Sequence, residues 1–448
     1  MVESERVTML NTGRTVAGAY VLYWMQAAPR ARDNPALAVA VDLANAQRLP
    51  ILAVHVRDGL GTPARTAWMD SGLEETRTVL SDAGIGCLVL DDPGFRVVED
   101  LCDDAAALVC DASIARHYRR QRTSLASQLP VPVLDVDGQA VVPVAHASPK
   151  QEWSARTFRN RVSAAVSLYL GGTALPVPHP RIAAAGRVPA QGDIAQPTMR
   201  LSGSPTQATR DAEQTLLPPP GSAAGARRLK AFISNGLDSY AEARNDPSLE
   251  GSSGLSPWIA SGFVSPVAVA RAAYRHGGPG AGAFIEQAVI RRELCRNYAW
   301  YRPADYDAWE GLPAWSVTAL DAASARSRPL EYSLGQLEAG ATADPYWNAA
   351  QSQLVRSGVI HNYMRMYWGK MILAWIRDPR EAFRTALYLN DHYALDGRDP
   401  NGWAGVAWCF GLHDRPWPAR PVFGTVRSMT AKGLERKFDV AAYVKRWA

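Results

Sequence analysis

Hydrophobic residues in the first third of the chain come in short unbroken runs, not in alternation. Residues 21–25, 51–56, 87–90, 107–110 and 133–136 are such runs. A strand that is apolar on both faces is covered on both sides, as in a parallel sheet. Between the runs, residues 34–48, 65–83 and 113–128 carry apolar positions at helical spacing. The alternation predicts a doubly wound, parallel, Rossmann-like α/β sheet within residues 1–170. Ligands of such sheets sit at the carboxyl ends of the strands. That rule points to Trp24, Met25 and Gln26, followed by Arg30, Asp33 and Asn34. No GxGxxG follows the first run and no P-loop motif occurs anywhere, so ordinary dinucleotide or ATP binding is not expected.

Periodicity fades over residues 171–226, where Pro, Gly, Ala, Ser and Gln dominate. This stretch reads as an inter-domain linker. From residue 227 the strand signals vanish, and helical patterns follow at 227–235, 257–262, 266–275, 281–301, 345–376 and 379–390. Asp344-Pro345 and Asp378-Pro379 each place an acid before a proline, the order expected at a helix start. Residues 227–448 are therefore expected to form an all-helical domain.

A length of 448 residues suits two or three domains, and 47% hydrophobic with 20% charged residues is ordinary for a soluble globular protein. The net charge of +5 permits an acidic partner without demanding one. Five cysteines with no CxxC spacing argue against a disulfide framework or a zinc site, and no metal is expected. With no secretory signal or membrane-length apolar run, the expectation is a cytoplasmic protein without a membrane partner. Tryptophan changes the picture: 11 of the 14 lie after Pro257, six of them between Asp344 and Lys437.

Four constellations could carry chemistry. On the expected 345–376 helix, His361, Arg365 and Trp368 share a face, Trp375 lies two turns on, and Trp347 stands at the start. Such a stripe is either aromatic core or a path for an electron, because indole is the most easily oxidised side chain. A buried Arg365 needs an anionic partner, with Asp396 or Asp399 available downstream. Ser252, Ser253, Gly254, Leu255 and Ser256 free the backbone N–H groups before Pro257, which suits either a pyrophosphate or a plain turn ahead of a capped helix. Asn390, Asp391, Asp396, Arg398, Asp399 and Asn401 cluster where a planar heterocycle could be bracketed, or where a loop is merely solvated. Last, Trp403, Trp408 and Trp417 interleave with Arg415, Arg420 and Arg427, a pattern for stacking unpaired bases or for a charged surface over core tryptophans.

The runs His361-Asn362-Tyr363-Met364-Arg365-Met366-Tyr367-Trp368-Gly369-Lys370, Leu389-Asn390-Asp391 with Leu395-Asp396-Gly397-Arg398-Asp399-Pro400-Asn401-Gly402, and His413-Asp414-Arg415-Pro416-Trp417 are long and specific. With Tyr23-Trp24-Met25-Gln26 and Ser253-Gly254-Leu255-Ser256-Pro257, they make the chain resemble the class II cyclobutane pyrimidine dimer photolyases of the photolyase/cryptochrome superfamily. The resemblance implies an antenna-type first domain, with a deazaflavin or folate-type chromophore open, and a helical domain holding FAD. It also implies a monomer acting on DNA that contains cyclobutane pyrimidine dimers. By the same resemblance, Tyr240 and Ser252 to Ser256 are FAD contacts, and Arg365 and Asp396 flank the isoalloxazine. Asn390, with Asn401 as second choice, faces flavin N5. Trp368, Trp347 and Trp375 form an electron-transfer chain in that order outward, while Arg244, Asn245 and Trp408 contact the dimer. One departure stands out. Where the family has Glu-Glu, this chain has Glu286-Gln287, and a glutamine supplies neither charge nor a proton. Either Glu286 substitutes or repair is altered. The rival readings are a cryptochrome-like photoreceptor using the same FAD and tryptophans, and a light-independent flavoprotein.

Overall fold

The computed structural model describes residues 2–14, 17–57, 59, 61–92, 94–171, 188–190, 216–328 and 330–448. Most of the linker expected over 171–226 lies outside the described residues.

Six strands form one sheet: β1 (Val7–Met9), β2 (Tyr20–Trp24), β3 (Ile51–Arg57), β4 (Gly86–Asp91), β5 (Ala105–Asp111) and β6 (Val133–Val136), in the order β1-β6-β5-β2-β3-β4. The last five run parallel, and β1 pairs antiparallel with β6. The wholly parallel expectation is thus corrected by an edge strand that hydrophobic runs could not reveal, since β1 has three residues and none is buried. The central strands are buried along their whole length, which is why their sequence does not alternate. Val21 and Tyr23 pack with Ala36, Leu37 and Ala40 of the helix Pro35–Gln47 on one face. Leu22 and Trp24 pack on the other, in the cluster that holds Val98 and Leu101 of the helix Arg96–Cys102. That helix has only seven residues and escaped the periodicity reading.

The chain adds β3 and β4 on one side of β2 and then returns to place β5 on the other, so a crevice opens between the carboxyl ends of β2 and β5. The protein's own polar groups close it. Asp111 accepts from the N–H groups of Ala27 and Ala28, at 2.9 and 2.8 Å, and from the Tyr23 hydroxyl. Gln26 accepts from the Trp24 indole and donates to the Tyr118 hydroxyl. Asn34 caps the following helix and donates to Tyr23.

The remainder is helical, with four corrections. The first helix starts at Gly221 and not at 227. Ser256 is the first residue of a helix of five residues, not its cap. The expected 281–301 helix contains a π-helical turn, Glu286–Arg291, between Ala281–Ile285 and Arg292–Tyr301. The expected 345–376 helix is two helices, Pro345–Ser357 and Asn362–Trp375. Gly358 breaks it, with φ +66° and no room for a side chain. His361 is the cap of the second helix, its ring accepting from Tyr363 N–H. The acids before proline do cap: Asp344 accepts from the N–H groups of Tyr346 and Trp347, and Asp378 from Arg380.

Buried polar groups tie the two halves together. Both carboxylate oxygens of Glu293 accept backbone N–H groups, from Val141 and Val142. Arg30 donates to the carbonyls of Gly262 and Gly138, and Arg292 to that of Gln139. The helix Ala155–Gly171 shares a core with the helical half through Phe158, Val162, Val267 and Val289.

A methyl group on Gly358 would lie 2.6 Å from Leu395 Cγ and would require left-handed backbone. Gly358→Ala is expected to cost about 2 kcal/mol or more, read as a fall in the urea midpoint with unchanged m-value.

Candidate functional site

Many of the groups singled out in the sequence are linked by successive contacts in the helical half. The succession begins at the serine loop. Arg228 donates to the carbonyls of Ser253 and Ser252, at 2.6 and 3.2 Å, and so turns those oxygens to one side. Gly254 takes φ +64°, and Gly251 packs so closely on Ala243 that a Cβ would lie 2.5 Å from its backbone. Ala243 ends the short helix Tyr240–Ala243. Tyr240 is buried there; burial raises its pKa, and Arg244 opposes that through charge and a hydrogen bond. Arg244 and Asn245 are half-exposed beside it.

Next in the succession is His361. Burial lowers its pKa to about 4, with the Arg244 backbone and Asp246 acting weakly the other way. Its Nε2 is buried without a hydrogen-bond partner. One turn further, Arg365 donates to Asp396 at 2.7 Å. This settles which acid it takes. Asp399 is instead the half-buried cap of the helix Pro400–Cys409, in the field of Arg292 and Arg296. Leu395 N–H bonds to the Gly358 carbonyl at 2.7 Å, which fixes Asp396 opposite Arg365.

Asn390 follows, 2% exposed, donating to Asp391 at 2.9 Å. Gly402 lies against it: a Cβ there would be 3.1 Å from the Asn390 amide nitrogen. Asn401 is exposed, so the two candidate amides have different settings. Asp391 is itself held by the Trp403 indole at 3.0 Å, and Trp403 stacks on Tyr306.

Trp368 lies one turn beyond Arg365, and all three expected tryptophans are buried. Trp347 and Trp368 stack with ring centroids 6.3 Å apart and planes within 3°, and Trp375 meets Trp347 edge-on at 5.4 Å. The Trp368 indole donates to Gln351 Oε1 and the Trp347 indole to the Trp368 carbonyl. Gln351 and Lys370 were missed. Gln351 is a polar residue 1% exposed on the helix Pro345–Ser357, and Lys370 is 0% exposed beneath Trp408. An amide or lysine in an apolar helical stretch was the available signal.

Glu286 is tied up. Arg159 grips it through two hydrogen bonds, at 2.6 and 3.0 Å, and Arg291 adds a third. These arginines lower its pKa against the opposing effect of burial. Gln287 is half-buried on the same π turn. Trp408 and Trp417 are half-exposed, with Arg427 between them and Arg415 over Trp417. His413 is half-buried with its Nε2 enclosed, and its pKa is lowered to about 4 by desolvation and then by Arg291.

Among the described residues, no cluster of His, Cys, Asp or Glu is suited to a metal ion, and no helix is long and apolar enough to cross a membrane. The cysteines are all unpaired.

This arrangement of an α/β sheet domain and a helical domain is the photolyase/cryptochrome fold. A class III photolyase from Agrobacterium tumefaciens superposes with a TM-score of 0.72 over 97% of this chain and 88% of its own, at 21% identity. A Synechocystis cryptochrome gives 0.71 over 96% and 88%, at 16% identity. The DNA photolyase family model matches residues 21–181. Proteins named deoxyribodipyrimidine photo-lyase are similar along nearly the whole chain. The one from Methanothermobacter thermautotrophicus is 36% identical over 100% of this chain and 98% of its own. Those from Oryza sativa and Potorous tridactylus are 37% and 34% identical, covering 98% and 95% of this chain and 89% and 80% of their own. The chain belongs to the DNA photolyase family.

His361 and His413 are neutral in the folded protein, while in the unfolded chain they take up protons near pH 6.5. The unfolded state therefore gains protons first as pH falls, and stability should drop between about pH 6.5 and about 4. Urea midpoints measured across this window should fall, and His361→Asn with His413→Asn should remove the part of the slope above pH 5, where most carboxylates stay ionised.

Proposed function

We propose that this chain reverses cyclobutane pyrimidine dimers in DNA, using light absorbed by bound, reduced FAD. The observation that carries the reading is the succession of contacts from the serine loop past His361 and the Arg365–Asp396 pair to Asn390, which offers donors and acceptors of the kinds an FAD needs. Tyr240 and the hydroxyls of Ser252, Ser253 and Ser256 hold the phosphate and ribityl part, Gly254 adds a backbone N–H group, and the Leu255 N–H orients the Ser253 hydroxyl. Arg365 and Asp396 bracket the flat ring system as a pair, so that neither charge is left uncompensated. When bound, the flavin supplies the photoexcited electron that opens the cyclobutane ring. With FAD bound, the Asn390 amide would be the group for N5, since an amide can donate or accept and so would tolerate either protonation state. The tryptophans Trp368, Trp347 and Trp375 carry an electron inward when the flavin must first be reduced.

Arg244, Asn245, Gln287, Trp408 and Arg415 receive the dimer and its phosphates. A dimer stacks poorly in a duplex, so flipping it out costs less than flipping a normal pair. Glu286 is withdrawn from that role by Arg159 and Arg291, and the lesion contact falls to Gln287. Its amide bonds a thymine carbonyl without charge or proton. Repair therefore proceeds at a lowered quantum yield. For an antenna chromophore of deazaflavin or folate type, the crevice at the carboxyl end of the sheet offers no comparable fit. Tyr23, Gln26, Asn34 and Asp111 are already bonded to one another or to the backbone there.

The test is light-dependent recovery of thymine absorbance from a dimer-containing oligonucleotide mixed with the reduced, FAD-loaded protein. Recovery under blue or near-ultraviolet light and none in darkness is expected. No recovery from protein whose flavin still photoreduces would replace the reading with a photoreceptor. In the same assay Gln287→Glu should raise the quantum yield, and an unchanged yield removes the claim made for Gln287.

A further inference from the structure

Several tryptophans of the helical half carry a cation over the ring. Arg119 stands 4.3 Å from the centroid of Trp300, Arg380 5.0 Å from Trp309, and Arg427 4.5 Å from Trp417. Trp408 has two, Lys370 at 5.0 Å and Arg427 at 6.0 Å. The stack of Trp368, Trp347 and Trp375 is different. Among the described residues no cation stands over these three rings, and the first two indole N–H groups point at neutral oxygens, at 2.9 and 3.0 Å. Removing an electron from an indole leaves a positive ring. A fixed positive charge beside that ring makes the removal costlier, the more so where the dielectric is low. A neutral oxygen on the N–H stabilises the oxidised ring.

The difference matters most at Trp408. It lies six residues beyond Gly402 in the helix Pro400–Cys409, about 9 Å along the axis, and Gly402 touches Asn390. It is therefore a competitor of Trp368 for supplying an electron to a flavin at Asn390. Lys370 follows Trp368 by two residues, about 200° round the same helix. It is 0% exposed and donates to the Cys409 carbonyl at 2.5 Å. Burial lowers its pKa to about 8, with Cys409 and Asp414 opposing and Arg427 assisting, so it remains an ammonium at neutral pH. A buried cation is costly and an apolar side chain would fill the same space. The ring it faces is that of Trp408.

We propose that Lys370 is a positioning residue that fixes the Trp408 indole and raises its oxidation potential, so that flavin photoreduction draws its electron from Trp368 and not from Trp408. In the balanced step one electron leaves the Trp368 indole, which is oxidised, for the photoexcited oxidised flavin, which is reduced. The positive charge then moves to Trp347 and Trp375, and an external thiolate, formed by loss of the thiol proton to solvent, returns the electron and becomes a thiyl radical, two of which couple to a disulfide. No proton need move within the tryptophan stack. The inference rests on the roles proposed above for the tryptophan stack and for Trp408.

The experiment is photoreduction of the oxidised, FAD-loaded protein in the presence of thiol. Trp368→Phe should slow it. Adding Lys370→Met should restore the rate several-fold, and adding Trp408→Phe should abolish the gain. Lys370→Arg, which keeps the charge, should restore nothing. A Trp368→Phe/Lys370→Met protein no faster than Trp368→Phe overturns the proposal. A second readout does not pass through the flavin. Exposed to azide radical, a diffusing one-electron oxidant, and then mapped by peptide mass, Lys370→Met should show several-fold more oxidised Trp408. The exposed-residue variant Arg427→Gln should show a smaller rise, and equal yields in all three proteins overturn the proposal. If Trp368→Phe photoreduces as fast as the native chain, the reading of the tryptophan stack fails, while the oxidation yields still decide what Lys370 does to Trp408.

Discussion

A single left-handed glycine constrains the geometry on which the site depends. Gly358 ends the helix Pro345–Ser357 and leaves two residues, Val359 and Ile360, before His361 caps the next. Without that break, Trp347 and Trp368 would lie 21 residues apart on one rod, about 30 Å along its axis. With it, their rings stack. The same glycine receives Leu395: its carbonyl takes the Leu395 N–H, and its missing side chain leaves room for the Leu395 side chain. Asp396 is thereby delivered to Arg365. The aromatic stack and the ion pair are both consequences of one backbone conformation that other residues adopt only with strain.

Much of this was legible in the sequence. The unbroken apolar runs gave the parallel core, and the acids before Pro345 and Pro379 marked true helix starts. Long motifs identified the family. What was not legible has physical reasons. A strand of three residues with no buried side chain carries no hydrophobic signature. A glycine at φ +66° looks in sequence like any tolerated helical glycine, so one helix was read where there are two. Asp396 and Asp399 had equal claims on Arg365 until the fold placed one opposite it and made the other a helix cap. Gln351, Arg159 and Lys370 act on residues far away in sequence, and no local spacing reveals such partners.

The crevice of the sheet and the linked groups of the helical half differ in how their polar groups are used. At the carboxyl ends of β2 and β5, amides, carboxylates and hydroxyls saturate one another, which suits a rigid support. Among the linked helical groups, polar capacity remains: a buried imidazole nitrogen without a partner, an ion pair joined by one bond, serine hydroxyls beside a turn whose carbonyls are held back by Arg228. Stability resides in the first region and reactivity in the second.

The π-helical turn Glu286–Arg291 starts at one carboxylate, Glu286, and leads to a second, Glu293, and the two face different neighbours. Glu286 meets Arg159 of the helix Ala155–Gly171, and Glu293 meets the backbone at Val141 and Val142. An extra residue in a turn advances the helix by about 100° relative to an uninterrupted one. The bulge thus works as a phase shifter, setting the angle between the anchored end and the end that carries Gln287. Length changes in this helix are consequently not interchangeable with side-chain changes. Losing one residue would heal the hydrogen-bond ladder, yet it would swing either the anchor or Gln287 about a quarter turn out of place.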